Sequence, residues 1–140
     1  MTTPLLPRVV REPASMAEEH LLTKLEGAAI GSRLELWLFV LQRISAMVLA
    51  PLVLIHLGLI IVAVQGGLSA AEILGRTRGS VAWAAFYALF VLAAAVHAPI
   101  GVRTILREMT PWRGRSLDLA AVVFAAILLA LGLRAVAAVT

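Results

Sequence analysis

From Ile44 to Ala71 the chain carries no Asp, Glu, Lys or Arg. A helix that crosses lipid needs about 20 apolar residues. The run therefore predicts a first span at about 36–64, with Arg43 in its first turns and Pro51 as a kink. A second apolar run predicts a span over 81–102, its start marked by the interfacial aromatics Trp83 and Tyr87. A third predicts a span over 117–139. It is broken only by Arg134, whose long stem can carry its charge back to the surface. The polar stretches between the runs read as loops. "QGGLSAAEILGRTRGS" holds one short helix opened by a capping box of Ser69 and Glu72, and "RTILREMTPWRGRSLD" is the second loop.

Ahead of the spans, "SMAEEHLLTKLEG" places Leu21, Leu22 and Leu25 on one helical face. Ser15 and Glu18 are spaced for a capping box, and Gly27 is placed to end the helix. This predicts a short amphipathic helix on the membrane surface or against a partner, with His20 solvated among charges. Residues 1–14 are expected to be irregular. The pattern as a whole is that of an all-α membrane protein: three transmembrane helices with a short N-terminal amphipathic helix. It divides into an N-terminal segment, 1–34, and a three-helix membrane domain, 35–140.

Composition agrees. The 140 residues are 61% hydrophobic and 14% charged, where a soluble domain averages roughly half and a quarter. Cysteine is absent, which excludes disulfides, thiolate-held iron–sulfur clusters and covalently attached c-type haem. "MTTPLLPRVVREP" is too short in apolar residues, and too broken by Pro and Arg, to be expected as a signal peptide. Early glutamates argue against a mitochondrial presequence. The expectation is a bacterial inner-membrane protein inserted through its first span. The net charge of +4 is read as topology and lipid contact rather than nucleic-acid binding. Nine of the 12 basic residues fall before the first span, at its start, or in the second loop; Arg76, Arg78 and Arg134 fall on the other side. The N-terminus is thus expected in the cytoplasm and the C-terminus outside.

Polar groups inside spans are costly and tend to be functional, so His56 and His97 are the first candidates. A neutral imidazole is a good axial ligand for haem iron, and helices of a bundle can supply one each. Ala93, Ala94, Ala95, Ala98 and Gly101 around His97 would leave room for a macrocycle. The competing reading is a histidine hydrogen-bonded to a neighbouring helix. Measured from Arg43, His56 lies roughly 20 Å into the span; measured from Arg103, His97 lies roughly 9 Å in. That difference favours His97 finding its partner ligand on another chain, with His56 structural or serving a second cofactor. A second group, Gln42, Arg43, Ser45, Arg103, Arg107, Glu108 and Trp112, gathers at the expected cytoplasmic boundary. Arg43 and Arg103 could pair with haem propionates, and Arg43, Ser45 and Glu108 could polarise and protonate a quinone carbonyl. The competing reading is a positive-inside cluster with Trp112 at the headgroups.

"LQRISAMVL" opening the first span and "HAPIGVRTILREM" closing the second resemble the membrane-anchor, or cytochrome b, subunits of succinate dehydrogenase and fumarate reductase. The resemblance covers about 35–140. It implies an anchor that docks a flavoprotein subunit and an iron–sulfur subunit, with haem b between two anchor chains and a quinone as electron carrier. It implies no catalytic residue here, since dicarboxylate chemistry belongs to the flavin subunit. Carried over by position, His97 matches the haem ligand, and Arg43 the arginine of the quinone site and propionates. Ser45 matches a small polar residue nearby, and Glu108 the acidic position beside the quinone. Three positions depart from the pattern. Met109 stands where the smaller anchor has Tyr, while Phe39 and Gln42 stand where the larger anchor has Ser and often His. His56 lies outside the pattern. The second anchor could be another protein or another copy of this chain. Two other classes fit less well: a haem-free scaffold whose histidines only pack helices, and a small transporter, for which the spans lack carboxylates.

Overall fold

The computed structural model describes residues 13–140. Four helices fill it: α1, Pro13–Gln65; α2, Ala70–Thr77; α3, Val81–Met109; and α4, Arg115–Val139. No strand occurs among the described residues. α1, α3 and α4 are each long and apolar enough to cross a membrane. The contacts divide the chain into two units, Met1–Trp37 and Leu38–Thr140.

In the first unit the expected amphipathic helix is present but not as a separate element. Helix starts at Pro13, a residue whose fixed φ suits a first turn, so Ser15 is inside the helix and not its cap. Gly27 does not end it. A mid-helix glycine costs only about 1 kcal/mol, and the flanking residues, "LTKLEGAAIG", include no proline and no β-branched run. Leu21, Leu22 and Leu25 are all exposed. Of the expected irregular stretch, 13–14 are helical, and 1–12, with Arg8 and Arg11, lie outside the described residues.

In the second unit the helix boundaries follow punctuation in the sequence. The expected capping box forms: the Ser69 and Glu72 backbone N–H groups each donate to the other residue's side chain, at 2.7 and 3.3 Å. Ser80 caps α3 through the Trp83 N–H. Gly67, Gly79 and Gly114 have φ of 62°, 74° and 86° and make the three tight links between helices, a conformation open to glycine at little cost. α3 runs seven residues beyond the expected 102 and takes up half of the expected second loop. It stops where Pro111 denies Thr110 the helical conformation.

α3 and α4 form the closest helix pair. A Cβ at Gly132 would run into the Val91 side chain, so this glycine sets how near α4 comes. The pair is fastened at both ends. At one end the Arg103 Nε–H donates to Asp118 Oδ1 at 2.7 Å, above Leu117, which is 2% exposed. At the other, Thr77 Oγ1 donates to the Val139 carbonyl at 2.6 Å and the Gly79 N–H to the Thr140 carbonyl at 2.7 Å. The buried set within this unit is small: Ser45, Leu52, Thr77, Ala93, Ala95, Pro99, Arg103 and Leu117. Large apolar side chains such as Leu54, Leu92, Val122 and Leu131 point outward. That inversion of the soluble pattern suits a lipid environment.

Candidate functional site

Two facing stripes carry the site. On α1 the residues Gln42, Ser45, Leu49, Leu52 and His56 recur at alternating steps of three and four and share one face. On α3, Tyr87, Phe90, Ala94, His97 and Gly101 do the same. The helices run antiparallel, so the start of one stripe meets the end of the other.

At one end His97 faces α1. Its Nδ1 lies 3.3 Å from Ser45 Oγ, and its Nε2 lies 3.4 Å from Gln42 Nε2. Ser45 is 6% exposed and donates its hydroxyl proton to the Gln42 carbonyl at 3.1 Å. Gly101 makes room for this arrangement, because a Cβ there would stand 3.1 Å from the Gln42 amide nitrogen. Gln42 Oε1 is buried with no hydrogen-bond partner. A groove of about 520 Å³ adjoins His97, walled by Ala46, Leu49, Ala50, Val53 and Leu54 of α1.

At the other end His56 sits among aromatic rings. Its centroid is 6.1 Å from Tyr87, edge-on, and 5.5 Å from Phe90. Trp83 stacks on Tyr87 at 5.9 Å. An apolar cleft of about 400 Å³ opens beside His56, covered by Ile73, Leu74 and Thr77 of α2 and floored by Gly132 and Val136 of α4. Phe90 stands seven residues before His97, roughly 10 Å along α3. The two imidazoles thus occupy different levels.

The succinate dehydrogenase/fumarate reductase transmembrane subunit family matches residues 24–133, most of the chain. The chain belongs to this family. It is an integral membrane protein, and membership implies association with the catalytic subunits of such a complex. No curated protein and no solved structure gives a match to the chain.

Of the site residues expected in this transmembrane subunit, only some come together. Ser45, Gln42 and His97 meet. Arg43, one position round the helix, is exposed and lies over the Phe39 ring at 5.3 Å. Arg103 is buried and engaged with Asp118. Glu108 is exposed on the last turn of α3 and makes no ion pair with Arg43 among the described residues. Trp112 is 43% exposed, and its Nε1–H donates to Ser116 Oγ at 2.9 Å. No group of three or more His, Asp or Glu placed to hold a bare metal ion occurs among the described residues. An axial haem ligand needs only one imidazole nitrogen facing open space, and His97, beside an apolar groove whose wall includes Ala46 and Ala50, fits that need.

One residue was missed in the sequence. Asp118 looked like the end of a loop, although it lies in the first turn of a helix, where a carboxylate is favoured and can reach back to α3. Gln42 belongs to the expected boundary group, and its contact with His97 is what the structure adds.

Proposed function

We propose that this transmembrane subunit docks the flavoprotein and iron–sulfur subunits on the cytoplasmic side, provides an axial ligand to haem b, and borders a quinone site. The observation that carries the reading is the setting of His97. It is an imidazole within a span, oriented through one ring nitrogen by Ser45, beside a groove whose wall includes Ala46 and Ala50. Haem b, when bound, supplies a one-electron relay. His97 would hold the haem iron, and a second anchor chain would supply the other ligand. Arg43, exposed at the Gln42–Ser45 end, presents a cation for a propionate or a quinone carbonyl. Trp112 and Glu108 border the same end, and the quinone pocket is completed by partner chains. Arg103 acts structurally, by pinning α3 to α4 through Asp118. The exposed Leu21–Leu22–Leu25 face suits contact with lipid or with a catalytic subunit. The N-terminus lies on the cytoplasmic side of a bacterial inner membrane.

A haem-free docking scaffold is the second reading. It is favoured by one observation: both ring nitrogens of His97 already have polar neighbours on α1. A reduced-minus-oxidised absorption spectrum of the purified complex separates the two. The haem reading expects a b-type α-band that His97→Ala abolishes while the chain still inserts. An unchanged spectrum in the variant sinks the ligand assignment. No band in the parent complex leaves the scaffold.

A further inference from the structure

We infer that Ser45 is a positioning residue for His97, fixing the tautomer that makes Nε2 the metal-facing nitrogen, and that Gln42 is a weak competitor for that nitrogen. The inference rests on the haem reading above and deepens it.

A serine hydroxyl has one proton. Ser45 places it on the Gln42 carbonyl, one turn back on its own helix, at 3.1 Å. Toward His97 the Oγ can then only accept. The hydrogen at the 3.3 Å contact must therefore come from the imidazole, which puts the ring proton on Nδ1. In the neutral ring that leaves Nε2 with its lone pair. The second contact agrees: the Gln42 Nε2 amide is a donor, and the nitrogen it meets at 3.4 Å must be an acceptor. The Ser45 contact selects this tautomer, and the Gln42 amide as placed is compatible with it.

The two partners are not held alike. Ser45 is buried and tied into backbone, so its Oγ stays in place. Both contacts, 3.3 Å at Ser45 and 3.4 Å at Gln42, are longer than the usual hydrogen bond, so the difference lies in how firmly each side chain is held. The Gln42 Oε1 is buried with no hydrogen-bond partner among the described residues. A side chain with a long bond on one atom and none on the other is readily displaced. Nδ1–H bonding to a fixed acceptor raises the basicity of the other ring nitrogen, and removal of such a partner commonly weakens metal affinity about 10–100-fold.

The test compares Ser45→Thr with Ser45→Val in the purified complex. The two side chains share a shape and differ in the hydroxyl. Three quantities are read: the rate of haem loss to a scavenging apoprotein, the haem midpoint potential, and the electron-paramagnetic signature of the oxidised haem. Ser45→Val is expected to release haem about 10–100-fold more readily. Its potential should rise, because a less basic imidazole favours ferrous iron, and the oxidised signature should shift. Ser45→Thr should restore all three. Gln42→Leu should retain haem at least as well as the parent. Parent-like retention, potential and signature in Ser45→Val overturn the positioning role while leaving the ligand in place. Loss of haem on Gln42→Leu overturns the competitor role. Absence of haem from the parent complex overturns the reading beneath both.

Discussion

The two membrane-buried histidines sit on matching stripes of facing helices, yet their surroundings share almost nothing. His97 meets a hydroxyl and an amide through both ring nitrogens. His56 meets only ring faces and edges. The difference comes from where each stripe begins and ends. The α1 stripe begins with Gln42 and Ser45 at the level of His97, while the start of α3 supplies Trp83, Tyr87 and Phe90 at the level of His56. An intramembrane histidine is therefore poorly interpreted by its own position. What faces it decides whether its lone pair is directed or merely accommodated.

The comparison can be broken most severely at His97. His97→Ala should remove the b-type spectrum outright, while His56→Ala should leave it; loss of the spectrum in both variants would mean the two histidines are not functionally distinct. Next is the ion pair at the His97 end. Asp118→Ala removes the carboxylate that receives the Arg103 Nε–H and should cost about 1–3 kcal/mol, read as a lower unfolding midpoint of the complex in detergent. Asp118→Asn should cost less, since it keeps an acceptor. At the His56 end a steric contact adds to the hydrogen bonds of Thr77 and Gly79. Gly132→Ala drives a methyl into Val91 and should cost about 1–3 kcal/mol, with Val91→Ala in the same chain recovering part of it. His56→Ala should cost about 1 kcal/mol through lost ring contacts. A much larger loss there would mean that His56 is more than packing.

The smallest effect concerns the capping box over the His56 cleft. The Glu72 carboxyl is held below the usual glutamate range, first by the Ser69 backbone N–H and then by its hydroxyl, with Arg76 adding to it. A depressed carboxyl stabilises the fold fully above its unfolded-state pKa and loses that contribution as pH falls through its folded-state value. Protection of the Ser69 and Glu72 amides, taken relative to their intrinsic exchange rates at each pH, should fall on acidification below the ordinary glutamate range, and Glu72→Gln should flatten that dependence. Protection factors that do not change with pH in the parent chain would remove the carboxylate from the cap.

Three spans were legible because lipid imposes a length and an apolar face that any window along the chain displays. The Ser69–Glu72 cap was legible because the motif is local. The break at Gly27 was misread: glycine marks a helix end only when something beyond it stops the helix, and nothing in 28–35 does. The site was half legible. His97 stood out as a polar group in an apolar run. Its partners did not, because pairing across α1 and α3 depends on the relative height of two helices, and separation in sequence does not report that. Asp118 was hidden for the same reason, since its value lies in reaching Arg103 from the next helix. Arg103, read alone, looked free for an anionic group.

The fastening of α3 to α4 at both ends has a mechanical corollary. Two rods tied at two points behave as a frame, and Thr77 of α2, bonded to Val139, with Gly79 of the following link, bonded to Thr140, closes one end of it. Among the described residues, the hydrogen-bond contacts of the 38–65 stretch of α1 with α3 are longer, 3.3 and 3.4 Å. This stretch touches the frame through a hydroxyl and an amide at one level and an imidazole among rings at another. His97 belongs to the frame, and Ser45 to the looser rod. A small slide of that rod would change the hydrogen bond on Nδ1 before it disturbed any contact between α3 and α4, so the imidazole doubles as a gauge of where the first span stands.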